Sequence, residues 1–480
     1  MLRNSLSWKR IAEVLVRARN SSSVNSRIFR AALLVSVASA VVKLMATAKE
    51  FVVASYFGRG DALDAFLIAF LVPGFIVSIV SISFNTALIP TLVQVREQKG
   101  GEAAQKLFSN MTVLGLGLLL ILSGVIAITG PRLLGLVGSG FGPAKLALTC
   151  RLFYLLLPWI VINGLVTTCA AVLNAGERFI FSSLTPLLTP VFGMLFLTVL
   201  GRKWGIWAYA GGTLVGALAE AVLLVSRLQH HGFTLWPHWY GMNEETRQVC
   251  AQWTPVMAGS LLVCGVGFVD QSMAAMLAAG SVAALNYATR IVSAVAGLFS
   301  SSLSTAVTPY FSKMIANGQF AECGHTLRIY RRLTIAVTVP ITLALVLLSR
   351  PLVTLLYQRG AFTAVDTAIV FRVQSMLAFQ IPFYAVSMLH VRLISSLKRN
   401  GLLLYGAAIN LTLDVILNLI CMKYWGVAGI ALATSLYYVV SSIFIVVAAH
   451  WALERATCAG LLAPPMTATA TVATAGIAIE

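Results

Sequence analysis

The chain has 480 residues, 59% hydrophobic and only 10% charged, and its 34 lysines and arginines against 16 acidic residues give a net charge of +18. A soluble domain carries about a quarter charged residues, so the composition excludes an ordinary water-soluble protein and indicates an all-α polytopic membrane protein. In that setting the positive charge belongs to loops facing anionic lipid and to a basic cavity, not to a nucleic-acid surface.

Residues 1–30 hold Arg3, Lys9, Arg10, Arg17, Arg19, Arg27 and Arg30 against Glu13, with no apolar core and no small-residue cleavage site, so they read as a basic cytoplasmic tail and not a signal peptide. Twelve apolar segments follow, near 31–56, 62–92, 108–130, 146–173, 180–200, 206–228, 251–278, 282–311, 330–349, 367–391, 402–422 and 427–450. Each is long enough to cross a core of about 30 Å at about 1.5 Å per residue. With the N-terminus inside, the cytoplasmic connections hold more Lys and Arg than the outer ones, the tail supplying part of the margin. Residues 451–480 form a short apolar tail. The seven cysteines are scattered without a C-x-x-C pair, so no disulfide or zinc framework is expected.

A repeat divides the chain. NTALIPTLVQVREQKGGEAAQKLF at 85–108 resembles STAVTPYFSKMIANGQFAECGHTL at 304–327, with Pro90 opposite Pro309, and GSGFGPAKLA at 138–147 resembles QRGAFTAVDTA at 358–368, with Phe141 opposite Phe362. An even number of spans separates the copies, so the halves share one orientation and are related by a pseudo-two-fold axis along the membrane normal. The expected architecture is a six-helix lobe at 31–228, a cytoplasmic linker at 229–250 and a second six-helix lobe at 251–450, enclosing a central cleft.

Charges sit inside these spans. Lys43, Lys49 and Glu50 lie on the first, Asp64 opens the second and Arg290 lies on the eighth. A charge near the bilayer centre costs about 2.5–3.5 kcal/mol on insertion scales, so such residues face a cavity or a partner. Lys43 and Lys49 are six apart and do not share a helix face. Asp64 also suits a plain helix N-terminus. Asp270 on the seventh span, Asn410 and Asp414 at i and i+4 on the eleventh, and Thr434 on the twelfth form an oxygen-rich set suited to a hard cation such as sodium. A proton relay or an interhelical hydrogen-bond network through the same groups are the alternative readings. Glu220 on the sixth span is buried by pattern and has no evident role, and His230, His231 and His238 form a loop cluster without partners for a metal. No nucleophile–base set, Walker motif or dinucleotide fingerprint is present, so no enzyme site or organic cofactor is expected.

The runs KEFVVASYFGRGDALDAFLIAFLVP from Lys49, VDQSMAAMLAAGSVAALNYATR at 269–290 and LLYQRGAFTAVDT at 355–367 resemble the MurJ/MviN family, the lipid II flippases of the MOP exporter superfamily. The similarity runs from about residue 31 to 450 and implies a MOP-type fold with alternating access. It also implies that Lys43, Lys49, Glu50, Asp64 and Arg290 serve a lipid-linked diphosphate, and that Asp270, Asn410, Asp414 and Thr434 match a sodium site of some members. Lys43 and Lys49 stand where the family usually has arginine, and Arg290 matches directly. A further family arginine on the second span, within R-R-x-x-A-E-G-A-F, is absent: the stretch reads VPGFIVSIVSISF, with apolar residues and serines near Val77–Ser83. Some members have two helices more, and this sequence ends where a thirteenth would begin.

The expected function is a flippase carrying a polyprenyl-diphosphate-linked sugar from the inner to the outer leaflet of the bacterial cytoplasmic membrane, working as a monomer in the bilayer. The lost arginine keeps an exopolysaccharide or O-antigen precursor as an alternative to lipid II. A cation-coupled small-molecule antiporter of the same superfamily would favour an acidic cavity, and this one is basic; a non-transporting scaffold would not need buried charges.

Overall fold

A computed structural model describes residues 24–175, 179–230 and 238–462. They fold into helices α1 (Val24–Phe57), α2 (Asp61–Val137), α3 (Pro143–Ala175), α4 (Phe179–Leu184), α5 (Leu188–Trp204), α6 (Ile206–Gln229), α7 (Glu244–Ala275), α8 (Ser281–Ala316), α9 (Phe320–Leu347), α10 (Ser349–Tyr357), α11 (Ala364–Ala378), α12 (Gln380–Ser396), α13 (Gly401–Trp425) and α14 (Val427–Leu462). The expected tails fall largely outside the described residues, at 1–23 and 463–480, as does His231 of the loop cluster.

Ten stretches of helix are long and apolar enough to cross a membrane. Among them α2, at 77 residues, is long enough to cross twice, and besides the ten α1 adds a helix of 34 residues. The described residues therefore make the twelve crossings read from the sequence. The second and third are joined without a loop: VREQKGGEAAQK is rich in strong helix formers, and the turn is made within α2 at Gly100, whose φ of +85° suits glycine. The fifth, ninth and tenth crossings are each interrupted, the fifth by a 3₁₀ turn at Thr185–Leu187.

Helices α1–α6 form one lobe and α8–α14 the other, while α7 packs along both. Trp253 of α7 donates its indole N–H to Ser83 Oγ of α2 at 3.0 Å and meets the Phe84 ring edge-on, and Phe268 packs on Phe75. Further along, Asp270 of α7 turns to the second lobe. Small residues bring backbones together, as hydrocarbon offers helices no hydrophobic drive to associate: a Cβ on Gly216 of α6 would lie 2.7 Å from Thr189 Cα of α5.

The repeat is visible in the contacts that join the lobes at the end the loop charges assign to the outside. A Cβ on Gly360 would lie 2.3 Å from the Ser55 carbonyl oxygen, and one on Gly140 would lie 2.5 Å from that of Ala275. The two pairs are related by one offset of about 220 residues, the spacing of the sequence repeat.

Candidate functional site

The two lobes enclose a cavity of about 580 Å³. Its lining combines the aromatic residues Phe66, Phe70, Phe75, Trp159 and Phe268 with Lys49, Glu50, Asn286 and Arg290. Buried Glu50 of α1 stands between two cations: Lys49 Nζ lies 3.1 Å from its Oε1 and Arg290 Nε 3.4 Å from the same oxygen. Lys49 comes from the first lobe and Arg290 from the second, so the carboxylate closes an ion triad across the cleft. The triad is unequal in exposure, Glu50 being 7% exposed, Lys49 19% and Arg290 54%. Arg290, which lines the cavity, therefore leaves more than half of its side chain accessible to a second anion. Lys49 also lies 5.6 Å from the centre of the Tyr209 ring.

Lys43 is not in the triad. It sits two turns earlier on α1, exposed, with its ammonium beside Gly297 of α8, where a Cβ would be 3.5 Å from Nζ. It follows the same α1–α8 seam beyond the cavity lining. Where the resemblance places a further arginine, Ser78 lines the cavity, and Ser81 and Ser83 are engaged with Thr167 and Trp253.

Asp64 lies at the outer end, not in the cavity. It is buried, and it accepts the backbone N–H groups of Gly280 at 2.7 Å and Ala283 at 2.8 Å. Helix α8 begins at Gly280, which has φ of +80° and no side chain to cap the first turn, so a carboxylate from the opposite lobe does so. Lys145 holds the same carboxylate at 2.8 Å and Asp61 at 2.7 Å. Arg59 donates from Nε to the Gly280 carbonyl at 3.0 Å and pairs with Asp366 at 3.4 Å, and the Ala361 N–H donates to the Ser55 carbonyl at 2.8 Å. Every one of these contacts joins one lobe to the other, except those of Lys145. The outer end is closed in this state.

The oxygen-rich residues come together in the second lobe. Asn418 donates its amide to Asp270 Oδ1 at 2.8 Å, and Thr434 Oγ1 lies 3.4 Å from Asp270 Oδ2 while also reaching the Ile430 carbonyl at 3.0 Å. Asp270, Asn410 and Thr434 line a cavity of about 300 Å³. Asp414 and Asn418 are fully buried, yet both carboxylate oxygens of Asp414 and the amide oxygens of Asn410 and Asn418 have no hydrogen-bond donor among the described residues. Buried oxygens without donors are rare because leaving one unsatisfied costs about 1–3 kcal/mol. A hard cation would satisfy them, and the oxygen donors are of the kind sodium takes. Asn418 was not singled out from the sequence, although it continues the Asn410, Asp414 stripe at the next i+4 position. Lys145 and Arg59 gave no sequence signal, as only the fold brings Lys145 to Asp64 and Arg59 to the opposite lobe.

A family model described as lipid II flippase MurJ matches residues 53–479. The probable lipid II flippase MurJ of Buchnera aphidicola subsp. Acyrthosiphon pisum (strain APS) is 24% identical over 420 residues, covering 84% of this chain and 80% of that protein. The lipid II flippase MurJ of Thermosipho africanus (strain TCF52B) is 25% identical over 414 residues, covering 86% of this chain and 84% of that protein. A solved structure of lipid II flippase MurJ in an inward closed conformation superposes with a TM-score of 0.76 at 23% identity, over 90% of this chain and 91% of that one. An inward-facing multidrug resistance MATE family transporter of the MOP superfamily gives 0.69 at 13% identity, over 87% and 95%. At these identities the two structures speak to the fold alone.

Proposed function

The chain belongs to the lipid II flippase MurJ family, and on that premise we propose that it carries lipid II across the bacterial cytoplasmic membrane with the diphosphate held between Lys49 and Arg290. It is a multi-pass membrane transporter and not an enzyme. The observation that carries the headgroup reading is the ion triad, in which Glu50 occupies the place between the two lobes that a substrate anion needs. Before substrate enters, the carboxylate holds both cations in position. A diphosphate brings more negative charge than one carboxylate and competes for both. Arg290 suits a phosphate oxygen pair through its planar fork, and Lys49 acts as a point charge. Because the cations stand on opposite lobes, occupancy alters the balance between inward- and outward-facing states, which is the requirement for a ligand to drive the change. The aromatic residues of the same lining support the apolar and sugar portions next to the diphosphate.

Asp270, Asn410, Asp414, Asn418 and Thr434 are the residues that would hold a sodium ion, which would supply positive charge against buried Asp414 and half-buried Asp270. Their own part is to join α7, which also lines the cleft, to α13 and α14. A cation there would tie the seventh crossing to the second lobe.

Two measurements test the reading. In cells whose own lipid II flippase is shut off, the chain restores growth. In liposomes it moves a fluorescent lipid II between leaflets, as read by protection from an impermeant quencher. Flipping of an undecaprenyl-linked O-antigen unit with no flipping of lipid II overturns the substrate.

A further inference from the structure

Glu220 lies in the middle of α6, 5% exposed, and among the described residues it forms no ion pair. Its Oε2 accepts a hydrogen bond from Thr189 Oγ1 at 3.3 Å. The elements packed against α6 are α3, the Thr185–Leu187 turn, α5 and an edge of α2. Their charged side chains stand away from the middle of the span. On α3 these are Lys145 and Arg151, near its start. On α5 they are Arg202 and Lys203, in its last turn. On α2 they are Asp61 and Asp64 at the start, Arg96, Glu97, Lys99, Glu102 and Lys106 around the Gly100 turn, and Arg132 near the end. Arg227, toward the end of α6 itself, has its guanidinium 4.5 Å from the centre of the Phe181 ring. The buried titratable groups on these faces, Tyr209 and Cys169, are neutral ones.

An ionised carboxylate in hydrocarbon without a cation is costly, whereas the neutral acid is tolerated there. The position is also not isolated from the transport path. Thr189, the partner of Glu220, lines the cleft together with Pro186, Pro190 and Thr213. It begins α5 beyond the 3₁₀ turn, and the backbone contact at Gly216 fixes α6 against it one turn from Glu220. On that turn the buried Thr185 hydroxyl also faces the Glu220 carboxyl, without a hydrogen bond of ordinary geometry.

We infer that Glu220 is a proton-binding site behind the cleft wall, and that its charge state sets the geometry of the break in the fifth crossing. As the neutral acid it needs only the Thr189 hydroxyl. When it gives its proton to water in the cleft, the carboxylate gains a charge and requires more donors. Thr185 is the donor in reserve on the same break. Recruiting it draws the Pro186–Pro190 wall toward α6 and alters the cavity. Proton binding and cleft shape are coupled by that movement.

Glu220→Gln tests this, since the amide keeps the shape and acceptor of the neutral acid but cannot titrate. The site itself is read by infrared difference spectra of the reconstituted protein between about pH 5 and about pH 10, either side of neutrality. Wild type should lose a protonated-carboxyl C=O band that is missing from the difference spectrum of Glu220→Gln; identical difference spectra overturn the proposal. The coupling is read by lipid II flipping with and without an imposed proton gradient, and rests on the flippase reading. Wild type should respond to the gradient, and in Glu220→Gln the two rates should become equal; an unchanged gradient response in the variant overturns it. No flipping by wild type counts against the flippase reading alone, because the infrared titration needs no substrate.

Discussion

Asp64 of the first lobe caps helix α8 of the second, accepting the Gly280 N–H at 2.7 Å. The bond exists only while the outer ends of the lobes are together. Asp64→Ala removes two backbone bonds and the Lys145 contact, and hydrogen bonds to a charged group are worth about 1.5–3 kcal/mol each. The open state should gain tenfold or more in population, at about 1.4 kcal/mol per decade. Asp64→Asn, which keeps an acceptor without the charge, should fall between. Spin labels on exposed Ala144 and Ala278 report the separation of the outer ends; unchanged distance distributions in both variants contradict a closing role.

The close approach of the lobes at Gly140 gives a second handle on the same end. A Cβ there would meet the Ala275 carbonyl oxygen at 2.5 Å, a contact that real Cβ atoms do not make, whereas Gly142 has open space. Neither glycine has a left-handed φ, so alanine strains neither backbone. Gly140→Ala should wedge the outer ends apart, and Gly142→Ala should leave the label distances as in the wild type. Closed distances in Gly140→Ala would mean that the lobes can settle apart by a fraction of an ångström at no cost.

How far the sequence reveals these relationships depends on what each one rests on. Span number, lobe division and pseudo-symmetry follow from apolar length and a repeat, and the shared offset of the Gly140–Ala275 and Gly360–Ser55 contacts carries that repeat into three dimensions. The sequence marks 93–107 only as a charged connection, and that it stays helical and turns at Gly100 is a structural fact. Lys49, Glu50 and Arg290 stand out because charge is costly in a span, yet that Glu50 lies between the other two is a tertiary fact. Asp64 looked like a cap for its own helix and caps another one. Lys43 shares the charge signal of Lys49 but not its surroundings, as a rotation of about 240° takes it off the cavity face.

At the end the loop charges assign to the inside, outside the apolar spans, exposed Lys99 and half-buried Glu245 form an ion pair next to a buried polar knot. Asn110 donates to the Gly241 carbonyl at 2.8 Å and to Thr246 Oγ1 at 3.1 Å and accepts the Tyr240 N–H at 2.8 Å. The hydrogen bond from Lys99 holds the Glu245 carboxyl below its ordinary range, and the same bond holds Lys99 above its own. The glutamate's contribution is therefore present above the ordinary carboxylate range and lost as pH falls through its lowered value. The lysine's is present below the ordinary lysine range and lost as pH rises through its raised value. Around neutrality both are in place, but solvent and salt screen the pair. Asn110→Ala should thus destabilise by about 1–3 kcal/mol, and Lys99→Ala by a smaller amount that added salt erases. Thermal unfolding at low and high ionic strength compares them; a larger loss in Lys99→Ala would reverse the ranking.

Sodium should stabilise the folded protein if it satisfies the orphan oxygens of Asn410, Asp414 and Asn418. At a concentration a hundred times the Kd the gain is about 2.7 kcal/mol. Asp414→Asn and Asn418→Ala should each lose most of that gain, and potassium, a larger ion, should not reproduce it. A melting temperature indifferent to sodium in the wild type rules out the ion and leaves the carboxylates as a proton or hydrogen-bonding site.

The triad separates charge from shape. The sequence resemblance puts Lys49 where arginine is usual in the family, so Lys49→Arg should retain flipping. Lys49→Ala leaves buried Glu50 with Arg290 as its remaining partner, which is more than half exposed and 3.4 Å away. Breaking a buried pair by removing one partner costs about 3–5 kcal/mol, and part of any lost activity would then be lost folding. Glu50→Gln combined with Lys49→Ala removes both partners and restores neutrality, so it should recover protein level without recovering transport. Arg290→Ala should abolish flipping with little loss of protein, because more than half of that side chain is exposed. Arg290→Lys should lie between, a two-pronged contact having become a point charge. Flipping of labelled lipid II in liposomes at matched protein levels decides the case. Full transport by the Lys49→Ala/Arg290→Ala double variant would move the diphosphate out of the triad and leave Glu50 with a purely structural pair of cations.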